Sequence, residues 1–358
     1  MSSSGDEGLQ AAIVWRPRAG IVIPLLILLL AVAVGIAVTS GAAGIPAGRL
    51  FDAIFGYTHA GESERDRLIL WSIRLPRIAM AMLVGGMLAA AGAIMQGLFR
   101  NPLADPSLVG VSSGAGLAAA ATIVIGDRYR SAIAGQMPIE ALPLAAFVGA
   151  LIATYALFRL ATRDGRTSIA IFLLGGIAIA ALANAGIGLL VFTADDQQLR
   201  DVTFWLLGSL AGATWAKAAV IAPALVIVIC IIGFVARGLD LLVLGEAEAF
   251  HAGISVQRLK IVSILVVAAA TGAAVSVSGI IGFIGIVVPH LLRLVVGPGH
   301  RLLLPGSILL GAALLVIADT AARTVVAPAE IPIGIITAAV GAPFFLVMLL
   351  RQRSIATL

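Results

Sequence analysis

The sequence is short of charge and nearly devoid of cysteine, and each scarcity excludes a class of protein. Of 358 residues, 11% are Asp, Glu, Lys or Arg, against roughly 25% in a soluble domain. With 61% of residues hydrophobic and a mean hydropathy of +1.11, too little polar sequence remains to cover a water-soluble core. Lipid is the solvent that fits. The single cysteine, Cys230, permits neither an internal disulfide nor a cysteine-based metal cluster. It lies in an apolar run and reads as packing. No GxxxxGK[ST] phosphate loop occurs, so the chain lacks the means to hydrolyse ATP itself and is not read as an enzyme. A net charge of +5 raises nucleic acid as a partner. The Lys and Arg residues, however, are scattered between apolar runs, where they serve topology, and that partner is set aside.

What is present is long apolar runs and forty glycines, the latter favouring close helix contacts in a membrane. Segments of roughly 20 apolar residues cross a bilayer as helices. They are predicted near 21–39, 75–98, 108–126, 139–161, 168–193, 216–236, 261–278, 281–297, 303–322 and 334–350. The fold class is an all-α integral membrane protein with about ten transmembrane helices, in a single transmembrane domain over residues 1–358. The polar start Met1–Gln10, then Arg16 and Arg18, precede a first run longer than a signal-peptide core, which reads as an uncleaved span. These two arginines, followed only at Arg49 by the next basic residue, place the N-terminus in the cytoplasm. Ten spans return Arg351, Arg353 and the C-terminus to the same side.

Two loops are more than connectors. Asp195–Gly212 contains Phe204-Trp205-Leu206-Leu207, suited to a short interfacial helix. Arg237–Lys260 reads as two short inner helices, with Gly253 ending the first in a left-handed turn and Ser255 capping the second. An ordinary amphipathic loop fits that pattern equally well.

Several side chains stand out against the apolar background. Arg74 and Arg77, at i and i+3, share a helix face at the outer end of the second span. They are either snorkelling anchors or an outer basic patch for an acidic protein. Asp319 and Arg323, at i and i+4, read as an internal ion pair. His290 has no second ligand at metal spacing and reads as a hydrogen-bonded structural histidine. Asp195, Asp196 and Asp201 cluster as in membrane prenyltransferases, but no second acidic motif faces them and a solvated loop fits better. An ion-coupled transporter normally places an acid near the midplane. The acids here lie at loops and span ends.

Motifs dispersed along the chain carry a more specific signal. They include Ile73-Arg74-Leu75-Pro76-Arg77, Met95-Gln96-Gly97-Leu98-Phe99-Arg100-Asn101-Pro102-Leu103-Ala104-Asp105-Pro106 and Gly110-Val111-Ser112-Ser113-Gly114-Ala115. Later come Gly282–His290, His300–Pro305 and Glu330-Ile331-Pro332-Ile333-Gly334. In these the chain resembles the FecCD-type permeases of ABC importers for iron-siderophores, haem and cobalamin, with a BtuC-like fold.

The resemblance implies a homodimer whose pathway is lined by the fifth and tenth helices. It implies two cytoplasmic ABC ATPase subunits that bind ATP and Mg, with no cofactor in this chain, and one periplasmic haem-binding protein outside. It places the chain in the bacterial inner membrane. It assigns binding-protein docking to Arg74, Arg77 and Arg323, and a cytoplasmic gate to Asn101, Leu103, Thr167 and Ser168. ATPase coupling falls to Gly245, Glu246, Ala247, Phe250 and Gly253. Ala252-Gly253 departs from the Leu-Gly of many relatives. Gln198–Trp205, Gly212–Trp215 and Val325–Pro328 look most like the haem branch, with siderophore or cobalamin import as the alternative.

Overall fold

A computed structural model describes residues 19–41, 62–106, 110–130, 141–163 and 166–356. Met1–Gln10, Arg16, Arg18 and Arg49 lie outside these residues, as do the side chains of Arg351 and Arg353. Helices α1 (Ala19–Thr39), α3 (Leu75–Phe99), α4 (Val111–Arg130), α5 (Ala141–Ala161) and α6 (Ile169–Phe192) match the first five expected spans. Helices α8 (Trp215–Leu242), α10 (Val256–Ser278), α11 (Ile284–Val296), α12 (His300–Thr324) and α13 (Ile333–Ala356) match the rest. Seven of them are long and apolar enough to cross a membrane; Val111–Gly126, Ile284–Val296 and Ile333–Met348 are shorter apolar stretches.

The bundle is built around α3. Every residue from Val84 to Phe99 is buried, and α3 packs against α8, α10, α11 and α12. Small residues make this possible. A Cβ at Gly85 would strike the Gly311 carbonyl of α12, and one at Gly92 would strike the Gly285 carbonyl of α11. Backbones this close gain dispersion contacts along their length, the main attraction available between helices in lipid. Gly92→Val is therefore expected to destabilise the chain by about 1–3 kcal/mol through overpacking. Thermal unfolding in detergent measures it, with the exposed Gly35→Val of α1, whose Cβ would meet nothing within 4 Å, as the control.

The structure revises four local expectations. The eighth span is a helix of only 13 residues, about 20 Å long, preceded by the non-helical segment 279–283. Pro289 within it lacks the N–H that would bond to the Gly285 carbonyl. Gln96 of α3 supplies the missing donor, its amide nitrogen 3.3 Å from the Gly285 oxygen and 3.2 Å from that of Ile286. Arg293 then donates to the Gln96 side-chain oxygen at 3.0 Å. Second, α3 has helix ahead of it: α2 (Glu62–Leu68) runs through a π-helical turn at Ile69–Arg74 into Leu75. Third, His290 is not hydrogen-bonded at Nδ1; its ring meets Phe344 edge-on at 5.8 Å. Fourth, Cys230 is exposed on the outside of the bundle, not packed within it.

The loop helix α7 (Asp196–Leu207) forms as expected. Asp195 caps it, accepting from the N–H groups of Gln197 and Gln198 at 2.9 and 2.8 Å, while Gln198 accepts from the Asp195 N–H. This capping box gives one acid of the cluster a local structural role.

Candidate functional site: two polar clusters at opposite ends of the central helix

Helix α3, with 25 residues, spans about 37 Å and carries a polar cluster at each end. At its N-terminal end the three sequence-selected arginines come together, and all are buried: Arg74 is 3% exposed, Arg77 and Arg323 8% each. Arg77 is the hub. Its Nε and Nη2 reach Asp319 at 2.9–3.0 Å, and its Nη1 straddles both oxygens of Glu330 at 3.0 Å. Asp319 thus has Arg77 as its close partner, with Arg323 at 3.7 Å. Arg74 and Arg323 donate to the carbonyls of Val38 and Ala37, at the C-terminal end of α1. Cations favour that end of a helix dipole and satisfy its free carbonyls. Gly41 lies against both guanidinium groups, and a Cβ there would fall 3.1 Å from Arg74 and 3.2 Å from Arg323. The carboxylate most open to a partner is Glu330, its side chain 41% exposed against 3% for Asp319.

At the other end of α3, Phe99 and Arg100 join a cavity of about 690 Å³. Its walls bring together Thr167 and Ser168 from the α5–α6 connection and Glu246 from the α8–α10 connection, together with Gln257 and Lys260. The α5–α6 connection is a two-strand hairpin, Thr162–Arg163 paired antiparallel with Arg166–Thr167. Ser168 caps α6, its hydroxyl accepting from the Ile171 N–H at 3.4 Å. Asn101 and Leu103 are not in the cavity wall. Asn101 instead closes its own turn, its side-chain oxygen accepting from the Leu103 N–H at 2.9 Å.

The expected pair of inner helices is one short helix, α9 (Glu246–His251), after which α10 starts directly at Val256. Gly253 adopts φ +86°, and the bonds Ile254 N–H to Ala249 O and Gly253 N–H to Phe250 O close α9 as a Schellman turn. Ser255 stands at the N-cap of α10 without a side-chain capping bond. Gly245, at φ +132°, holds the N-cap of α9 in a conformation open only to glycine. Helix α9 buries Ala249 and turns Ala247 and Phe250 outward. Phe250 and Leu244 are each 68% exposed. Glu246 pairs with Lys260 at 2.8 Å. Sequence reasoning missed Gln257, Lys260 and the pairing role of Glu330. The signal for the first two was faint: two polar residues at i and i+3 where an apolar span begins.

The comparisons agree with this architecture. The FecCD transport family matches residues 27–351. The chain is 48% identical to the hemin transport system permease protein HmuU of Yersinia pestis, over 79% of this chain and 84% of that one. It is 43% identical to the cobalamin import system permease protein BtuC of Halobacterium salinarum, over 88% and 82%. A solved inward-facing structure assigned to the metal-chelate type of ABC transporter superposes with a TM-score of 0.80 at 28% identity, covering 93% of this chain and all of that one. With ten apolar helices among the described residues, α3 at their centre, and no nucleotide-binding motif of its own, the chain belongs to the FecCD transport family of ABC importer permeases.

Proposed function

We propose that the chain is the membrane permease of an importer that moves haem across a bacterial inner membrane, with both termini in the cytoplasm. The observation that carries the substrate is the 48% identity to a hemin permease. A physical argument stands beside it. Helix α6 has no charged residue from Ile169 to Phe192 and buries only Phe172, Gly176 and Ala183, leaving a smooth apolar face for a second copy of the chain and for a large, largely apolar ligand between the copies. In this reading α6 and α13 line the pathway. The cavity end faces the cytoplasm, where two ATPase subunits seat on α9 through Phe250, Leu244 and Glu246. Thr167 and Ser168, with Asn101 and Leu103 on the neighbouring turn, form the gate.

The arginine end faces the periplasm and a binding protein. Arg77 is engaged from within, so an incoming carboxylate would compete with the half-exposed Glu330 for Arg77 Nη1, leaving Asp319 in place. The assembled importer in liposomes is expected to concentrate haem in an ATP-dependent manner, and to do so faster than a ferric siderophore or cobalamin. Equal or faster uptake of either competitor would overturn the haem assignment. Concentrative uptake or ATP hydrolysis by this chain alone would overturn the importer reading.

A further inference from the structure

Thr167 is held at every polar atom by one face of α10. Its N–H donates to the Gln257 side-chain oxygen at 3.2 Å, and its hydroxyl accepts from the Gln257 amide at 2.8 Å. Its carbonyl accepts from the Lys260 ammonium at 3.3 Å. Gln257 and Lys260 stand three residues apart and so share a helix face. The same ammonium donates to Glu246 at 2.8 Å. Lys260 is 6% exposed and Thr167 5%, whereas the Glu246 side chain is 49% exposed. One buried cation thus joins the short helix α9, whose acid opens to solvent, to the hairpin that leads into α6.

We propose that Lys260 is a positioning residue that transmits movement of α9 to the hairpin at Thr162–Thr167, with Gln257 as the second clamp. This rests on α9 being the ATPase contact and Thr167 part of the gate. Lysine suits the task because its ammonium carries three donors and can serve a carboxylate and a carbonyl at once. Lys260 and Thr167 are both buried, so the bond between them is not readily exchanged for a solvent bond. A pull on α9 is then felt at the Thr167 carbonyl, and the two Gln257 bonds prevent the hairpin from yielding on its own.

The test uses the full complex of permease, ATPase and binding protein in liposomes. A maleimide reagent reports on Arg166→Cys, an exposed hairpin position, in a Cys230→Ser background. With Lys260 unchanged, the labelling rate should differ between nucleotide-bound and nucleotide-free states. Lys260→Met should erase that difference and lower haem transported per ATP hydrolysed by about tenfold, the equivalent of one charge-assisted hydrogen bond. Lys260→Arg, which keeps the donors, should restore most of both. Gln257→Leu leaves no buried charge unpaired and should give a weaker form of the same loss, so the proposal remains testable where Lys260→Met fails to assemble. A Lys260→Met or Gln257→Leu complex with unchanged transport per ATP and unchanged nucleotide-dependent labelling overturns the latch alone. Loss of both readouts in Lys260→Arg to the same degree as in Lys260→Met also overturns it. If labelling at Arg166→Cys ignores nucleotide with Lys260 intact, the coupling reading itself fails and the latch fails with it.

Discussion

Asp319→Ala is expected to destabilise the chain by about 3–5 kcal/mol, the cost of removing one partner from a buried charge cluster. Asp319 is 2% exposed and is the acid that both Arg77 and Arg323 approach. Without it, two guanidinium groups, each 8% exposed, repel one another with only the more open Glu330 to answer Arg77. A domain with a margin of about 5–15 kcal/mol would feel this strongly. Glu330→Ala should cost less than about 1 kcal/mol, because its side chain is 41% exposed and water screens the pair. Thermal unfolding in detergent, followed by circular dichroism, compares the two, with the exposed Asp196→Ala as reference. Asp319→Leu combined with Arg77→Met should recover part of the loss, since removing both partners of a buried pair is far cheaper than removing one. Asp319→Ala melting with the Asp196→Ala reference would mean that the arginines find their stabilisation elsewhere.

Glu246→Arg is expected to uncouple the importer or to stop the ATPase from assembling. It replaces the partner of Lys260 by a second cation at the same place, 2.8 Å from the ammonium in the present pairing. The new side chain must swing away, and α9 loses its tie to α10. Because the Glu246 side chain is half exposed, the buried-pair cost is discounted to about 1.4 kcal/mol, a tenfold loss of the coupled state. The purified complex should lose its ATPase subunits, or retain them and hydrolyse ATP with about a tenth of the haem uptake. Normal assembly together with normal ATP-stimulated uptake would remove α9 from the coupling path. A change at α9 reaches the pathway only if it alters contacts that differ between two states, and the Glu246 pair is a contact that links α9 to α10 and, through Lys260, to the hairpin.

The contrast between the two ends of α3 shows how far residue patterns reach. Arg74 and Arg77 were legible as one face, because i and i+3 positions coincide on any helix. That Arg74 and Arg323 close the C-terminal end of α1 was not, since it depends on where a helix 36 residues before Arg74 and 286 before Arg323 comes to rest. Asp319 and Arg323 invited an i, i+4 pair, yet the carboxylate prefers Arg77, 242 residues away. A guanidinium from a neighbouring helix offers two aligned donors, whereas the intrahelical one meets Asp319 only at 3.7 Å. The eighth span was overdrawn for a similar reason. Hydropathy continues through 281–297, but segment 279–283 does not continue the helix, and the Gly285 carbonyl left open by Pro289 is answered only because Gln96 lies opposite.

The sequence by itself determined that this chain lives in lipid, where most of its described apolar helices begin and end, and to which permease family it belongs. Those properties follow from composition, run length and local motifs, each set within a few turns of chain. The tertiary structure decided which polar groups meet. It turned the arginines inward onto Asp319, Glu330 and α1, left Asn101 to close its own turn, and joined Thr167, Gln257, Lys260 and Glu246 into one junction. A polar group in an apolar bundle must find a partner or remain unsatisfied at a cost. Which partner it finds is settled by the packing of glycine-lined helices around α3, and no spacing along the chain encodes that.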